Sequence, residues 1–527
     1  MKIVMLNPPY FPMFSRASRS PAVTKSSTLY YPFFLSYATG VLEDAGFDVT
    51  LIDSPGEKLD RPETLNKIKE LKPEIVFCET STPSIDNDLQ VMKEVKEVGV
   101  LWVVAVGTHV SALPEEVLAN SPWVDVICRH EYEYTARELA EYVRRQKSEV
   151  RGQRSEARDQ RAEIANQGAE GKGLKRGFDI RRGLSRIQGI SYRDNGRIQH
   201  NEDRPHIENL DDLPFVSRVY RDHLRKQINS YFYGANLHPV VSILSGRGCP
   251  HRCAYCVYPQ TMMGHRYRLR SVENVVDELT FITKELPEVK EIFLEDDTLT
   301  VNKERAIALS QGIIDRGLKI TWSTNSRADA DYETMRMMHK SGCRLLCVGF
   351  ESGSQEILDR LQKHIRRENY LKFSDDARRA GLLIHGCFMY GNDGETRATM
   401  RETLELAKEL NCDTAQFYPI MVYPGTRAYN DYKERGYITA QSYREWLTPD
   451  GQHNCVVSLP NISKEELVAF CDLSRREFYL RPRYMVSKMK QIFTHPRETK
   501  RIMRAGETLL KHLFGFSPQS ARRARSR

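Results

Sequence analysis

Five short apolar runs punctuate the first 143 residues: KIVMLN from Lys2, DVTLID from Asp48, EIVFCET from Glu74, LWVVAVG from Leu101 and VDVICR from Val124. Amphipathic stretches lie between them, joined by short connections. Buried strands alternating with helices predict a parallel, doubly wound α/β sheet. Ligands in such sheets bind beyond the carboxyl ends of the strands. The residues there are Asn7, Pro8 and Pro9, Asp53, Thr80 to Thr82, Gly107 to His109, and Arg129 to Glu131. No G-x-G-x-x-G follows the first run, which argues against a dinucleotide.

The alternation resumes at His238, with strands expected near Val241, Ile292, Ile320, Leu346, Ile384 and Ala415. Ser271 followed by Asn274, Val275 and Leu279 reads as a capped helix start, and Glu395 to Leu410 carries apolar residues at helical spacing. From about Gln441 the pattern is helical. A last helix, Thr499 to Phe516, combines Ile502, Met503, Leu509, Leu510, Leu513 and Phe514 with Lys500, Arg501, Arg504 and Lys511. It reads first as a core-packing helix before a basic tail, and alternatively as a peripheral membrane contact.

The two halves are separated by residues 144–186, where thirteen Lys/Arg stand against six Asp/Glu. This segment repeats SEVRGQR (Ser148 to Arg154) as SEARDQR (Ser155 to Arg161) and is poor in large apolar residues, a composition that predicts disorder or a frayed helix and reads as an inserted linker. The net charge of +8 is therefore largely local. With no interleaved aromatics it does not indicate nucleic-acid binding. No apolar run approaches 18 residues and no leader opens the chain, so a cytoplasmic protein is expected. Eleven cysteines in 527 residues then imply a reducing compartment and metal chemistry.

That chemistry centres on SGRGCPHRCAYC, Ser245 to Cys256, which follows a strand-like run and places thiols at Cys249, Cys253 and Cys256. A [4Fe–4S] cluster takes four thiolates, so a C-x3-C-x2-C triplet leaves one iron open for a substrate or cofactor. The alternative is a zinc site completed by His251 or His265, although zinc ligands usually come as two C-x2-C pairs.

The triplet, with Tyr255 before its third cysteine, resembles the hallmark of radical S-adenosylmethionine (SAM) enzymes. The resemblance implies an open (β/α)6 partial barrel and a cluster on Cys249, Cys253 and Cys256. SAM chelates the open iron and is reductively cleaved to a 5′-deoxyadenosyl radical, with a flavodoxin or ferredoxin-type electron donor. Further elements match the family in order. IFLEDDTLT holds Glu295, Asp296 and Asp297; WSTNSRAD places Ser323 and Arg327 where relatives contact the methionyl part of SAM; VGFESGS places Glu351 near the SAM amino group or ribose. HGCFMYGNDGET resembles the element that packs Gly386 to Gly391 beside adenine, although Asn392 and Asp393 replace the usual Leu-Pro, and YPGTRAY matches a barrel-closing element. Cys387 faces the carboxyl end of its strand, where a redox or hydrogen-donor role is conceivable, while the remaining cysteines read as small buried apolar residues.

The first 143 residues resemble the cobalamin-binding domain that precedes the radical domain in the B12-dependent group, on the strength of Asn7-Pro8-Pro9 and VGTHVSALPEEVL. The resemblance implies cobalamin beside Asn7, Pro8, Thr80, Gly107, His109 and Glu131. Two departures stand out: the D-x-H-x-x-G motif is absent, and RHEYE replaces the usual G-E-G-E loop. His109 is not read as a cobalt ligand. Only Cys78 and Cys128 precede Cys249, which excludes the methylthiotransferases, whose second cluster needs three N-terminal cysteines.

The expected organisation is a cobalamin-binding-like Rossmann domain over 1–143, the linker over 144–186, a connecting segment over 187–237, the partial barrel over 238–437 and a helical C-terminal region over 438–527. Over Leu213 to Tyr437 the chain is most similar to hopanoid-biosynthesis-associated radical SAM proteins, which implies rearrangement or C-methylation of a lipid or secondary metabolite. The alternatives are an oxidative cyclase of the magnesium-protoporphyrin monomethyl ester type, a radical enzyme whose N-terminal domain does not bind B12, or a noncatalytic metal-dependent binding protein.

Overall fold

The computed structural model describes residues 1–148, 183–494, 498–503 and 506–507. The apolar runs of the first half form β1 (Lys2–Asn7), β2 (Asp48–Asp53), β3 (Ile75–Thr80), β4 (Trp102–Gly107) and β5 (Val126–Cys128). All five pair in parallel. A hairpin of β6 (Ile190–Asp194) and β7 (Arg197–His200), within the expected connecting segment, extends the sheet antiparallel from β5. The order is β2-β1-β3-β4-β5-β6-β7. Every residue of β3 and β4 is buried, because helices cover both faces.

A short ladder of β9 (Gly246–Arg247) and β10 (Arg268–Leu269) follows β8 (Val240–Ile243). Beyond it run β11 (Glu291–Leu294), β12 (Trp322–Ser326), β13 (Cys343–Glu351), β14 (Leu383–Tyr390) and β15 (Thr414–Pro419). With β8 these five form an all-parallel sheet of order β8-β11-β12-β13-β14-β15, an open six-stranded partial barrel. The intervening helices begin on side-chain caps: Ser271 accepts from Asn274 N–H, Asn302 from Arg305 N–H, Asp331 from Thr334 N–H and Thr396 from Thr399 N–H.

The two sheets share one apolar core. The helix Phe33–Asp44 buries every residue from Phe33 to Leu42, as a helix wedged between two bodies must. Phe33 and Phe34 meet Tyr258 edge-on, with ring centroids 6.1 and 5.4 Å apart. A Cβ on Gly40 would come within 2.7 Å of Pro214, so glycine permits that approach.

The third barrel strand, expected near Ile320, runs from Trp322, paired with Cys343. Two expectations are corrected. The boundary at residue 144 falls inside a helix over 133–148, which Arg144 over Phe47 and Lys147 paired with Glu74 hold against the first sheet. From Gln441 to Ser463 the chain is not a helix: after a short turn at Tyr443–Trp446 it makes the bridges Ile438↔Val457 and Leu447↔His453. Helices occupy Lys464–Tyr479 and Pro482–Thr494. The duplicated heptads beyond Ser148, and most of the stretch from Thr499 to Phe516, lie outside the described residues.

Candidate active site

The cysteine loop is set by backbone geometry. Gly248 has φ +88°, and a Cβ there would lie 2.3 Å from the Arg266 carbonyl oxygen, so glycine is required. Cys249 N–H donates to Gly264 O at 3.2 Å, Ala254 N–H to Leu361 O at 3.1 Å, and Gln260 Nε2 to Cys256 O at 2.7 Å. Asp296 anchors the approach by accepting from Ser245 N–H, Ser245 Oγ and Tyr267 Oη, each at 2.7 Å. Its neighbours Glu295 and Asp297 instead line a cavity of about 1350 Å³.

Cys249, Cys253 and Cys256 are free, half-buried thiols on that same cavity. Burial, aided by the Asp297 carboxylate, pushes Cys249 up to about 12 and Cys256 well above its ordinary value. Thiols so placed ionise only against a bound cation. They are not a compact mononuclear set: among the described residues the three ligand groups within 4.8 Å of one another are Cys347, His385 and Cys387. His265 is occupied elsewhere, its Nδ1 3.2 and 3.1 Å from the carbonyls of Cys249 and His251. Three open thiols at wider spacing fit an iron–sulfur cluster better than zinc.

Opposite the loop, Glu351 ends β13 with φ +63°, a strained value for a non-glycine residue and one that marks functional sites. Its carboxylate accepts from Tyr255 Oη at 2.8 Å, Lys363 Nζ at 3.0 Å and Tyr418 Oη at 3.2 Å. Arg327 lines the cavity, with Nη2 donating to Lys363 O at 2.7 Å and Nε to Asp329 at 3.0 Å. A carboxylate, an ammonium, a guanidinium and two phenols thus converge beside the cluster thiols. This is a donor set suited to the zwitterionic methionyl end of SAM and to its ribose.

One expected contact is turned away. Ser323 is fully buried and its hydroxyl accepts from Asn236 Nδ2, while Asn325, Ser326 and Arg327 line the cavity. Gly386 faces outward, where a Cβ would meet Cys412 Sγ at 2.9 Å; by strand alternation it is His385, Cys387 and Met389 that point inward. Arg19 was not foreseen. It reaches from the N-terminal segment to Glu295 and, at 3.1 Å, to Asp297, and stacks 5.1 Å from the Tyr258 ring. Lys363 and Tyr418 were also missed; only the inward register of Thr414, Gln416 and Tyr418 on β15 could have signalled the latter.

At the carboxyl edge of the first sheet the expected cobalamin residues hold one another. Arg16 pairs with Asp88 at 2.7 Å and donates to Asn7 Oδ1 and, at 2.8 Å, to Pro8 O. Asn7 donates to Asp53, Thr80 Oγ1 to Val106 O, and Glu131 is clasped by Arg268 and Arg247. A Cβ on Gly107 would lie 2.5 Å from Thr80 O. His109 is not on the surface: it is buried, with Nδ1 3.1 Å from Thr82 Oγ1 and Tyr443 edge-on at 4.8 Å, and burial lowers it to about 3. None of these residues lines the cavity. The side chains at this edge are engaged with one another, and the cavity beside it, at about 1350 Å³, exceeds the roughly 300–1,000 Å³ of common ligand sites. Its N-terminal wall includes Ser18 to Ser20 and Val23 to Ser26.

Two family models match the chain: the B12 binding domain over residues 19–140 and the Radical SAM superfamily over residues 243–407. An uncharacterized methyltransferase of Pyrococcus horikoshii is 30% identical over 497 residues, covering 94% of this chain and 95% of its own. The anaerobic magnesium-protoporphyrin IX monomethyl ester cyclase of Rubrivivax gelatinosus is 25% identical, covering 79% and 69%. Among solved structures, the radical SAM methyltransferase TsrM from Kitasatospora setae, with cobalamin and a [4Fe–4S] cluster bound, superposes with TM-score 0.62 at 17% identity, covering 88% of this chain and 84% of that one. At that identity the likeness speaks for the fold.

Proposed function

The chain belongs to the radical SAM superfamily, in the branch with a B12-binding domain ahead of the radical domain, and from that premise we propose that it modifies a bulky, lipid-like small molecule by methyl transfer. It is an enzyme whose cofactors are a [4Fe–4S] cluster, SAM and cobalamin. Once bound, these supply the electron that cleaves SAM and the carrier for a methyl group. Cys249, Cys253 and Cys256 hold the cluster; Glu351, Lys363, Arg327 and Tyr255 orient SAM; the segment Ser18 to Ser26 forms the cavity wall toward the N-terminal domain, where cobalamin would be held.

The observation that carries this reading is the meeting of the three thiols and the Glu351–Lys363 pair in one large cavity. The chain's own contribution is positional. Lys363, 5% exposed, offers a fixed positive charge and Glu351 a fixed negative one beside the three thiols.

The substrate class follows from the mouth. Phe232, Phe293, Phe417 and Met421 line the interior, and Met485 and Met489 line the cavity while staying 54% exposed. Val486 and Phe493 are exposed on the same helix, with Arg483 and Lys490 beside them. An apolar, basic rim at a cavity entrance suits a lipid or its head group, drawn from a membrane surface. Among the described residues no helix is long and apolar enough to cross a membrane. The methyl-transfer reading is favoured over ring closure by the relative matched over 95% of its length. The test incubates the reduced holoenzyme with SAM bearing a deuterated methyl group and a total lipid extract. A lipid species gaining the labelled methyl supports the reading; labelling confined to water-soluble metabolites refutes the lipid class.

A further inference from the structure

Deeper in the barrel, β13 and β14 bring a second set of ligand-type side chains together. Cys347 is registered opposite His385, and Gly349 opposite Cys387. All three side chains point into the cavity, and their ligand atoms lie within 4.8 Å of one another. Gly349 carries no side chain to fill the space, and Glu351 with Lys363 closes over it. On β14, Cys387 lies one residue and His385 three residues toward the amino end from Phe388, which is registered opposite Glu351.

The chemistry of this set is that of an open metal site. Two thiols and one imidazole match the Cys₂His donors that hold catalytic zinc, leaving a fourth position free. His385 Nδ1 sits 2.7 Å from Thr414 Oγ1. With Nδ1–H donating there, Nε2 presents its lone pair, the usual way a neighbour fixes the tautomer of a ligating histidine. The Gln416 side chain also reaches this ring. The Cys347 and Cys387 sulfurs lie within 4.8 Å of each other. Tyr30, Tyr233, Val240 and Phe293 pack beside Cys347 and keep the surroundings largely apolar.

We propose that Cys347, His385 and Cys387 form a second, mononuclear site for a soft divalent ion such as Zn²⁺, whose fourth position opens into the cavity toward substrate. Both thiols give up their protons on binding, and the ion offsets the two thiolates. No electron transfer is involved. The ion would hold a substrate heteroatom in place beneath the SAM-binding groups, separately from the Cys249–Cys253–Cys256 cluster.

The test uses full-length, cluster-reconstituted protein titrated anaerobically with Co²⁺, with zinc and iron measured in parallel. The expected result is about one Co²⁺ per chain with a thiolate-to-metal charge-transfer band, and displacement of that band by Zn²⁺. Cys347→Ser/Cys387→Ser should weaken cobalt binding at least tenfold and remove the band, with iron unchanged at about four per chain. Should the double variant not fold, His385→Gln alone should weaken binding and shift the band. A band unchanged in position and affinity in these variants, or no thiolate band in the wild type, would overturn the proposal. Iron content and SAM cleavage report separately on the radical centre.

Discussion

The Tyr255 hydroxyl donates to Glu351 Oε1 at 2.8 Å, tying the cysteine loop to the end of β13. One hydrogen bond thereby couples the residue preceding Cys256 to the carboxylate that also accepts from Lys363 and Tyr418, the groups proposed to orient SAM. Both ends are constrained, Tyr255 by the loop and Glu351 by its positive φ.

Glu351→Gln should raise the dissociation constant for SAM by 10-fold or more while leaving iron content intact. The change strands the buried Lys363 charge, and breaking such a pair by removing one partner typically costs about 3–5 kcal/mol. Calorimetry with SAM and a thermal melt check both effects; unchanged SAM affinity would remove Glu351 from the site.

Gly248→Ala should abolish cluster assembly without unfolding the chain. The new methyl group would fall 2.3 Å from a backbone oxygen, in a conformation at φ +88° that alanine resists. Iron analysis beside a circular dichroism spectrum separates loss of the loop from loss of the fold.

Arg16→Ala should lower the melting temperature by several degrees, since it leaves Asp88 buried without its cation. If cobalamin is held in the cavity as proposed, cobalt per chain should not change. A variant that binds more cobalamin than the wild type would show that Arg16 blocks the edge.

Burial raises Glu395 from 4.5 to about 7, against the hydrogen bonds it accepts from Gly391 and Asn392 N–H. The folded state therefore holds this proton more tightly than the unfolded chain. Its stabilising contribution is full below about pH 4.5 and is lost as pH rises through about 7, by roughly 3 kcal/mol at about 1.4 kcal/mol per pH unit. Glu395→Gln should flatten the fall in melting temperature between pH 5 and 8; an unchanged slope would contradict the burial argument.

Much of this architecture was legible because buried parallel strands are continuous apolar runs, as in β3 and β4, and because the cysteine spacing is local. Pairings set by register were not. Cys347, His385 and Cys387 are scattered in sequence and meet only because β13 lies beside β14. A partner distant in sequence, Asn236, likewise turns the Ser323 hydroxyl away from the cavity while Arg327 lines it. Arg16 and Arg19 sit in a segment with no periodicity, so their insertion into the sheet edge and the cavity left no signal. The charged segment's first residues proved helical because Arg144 and Lys147 find partners on the first sheet.

The most direct measurement compares wild type with Cys253→Ala after anaerobic reconstitution with iron, sulfide and hydroxocobalamin, reading iron, cobalt and 5′-deoxyadenosine formed on reduction with SAM. Wild type should carry about four irons and about one cobalt per chain and cleave SAM; the variant should lose the iron and the cleavage while staying folded. Cleavage of SAM by Cys253→Ala at the wild-type rate would contradict the assignment of the cluster to this loop.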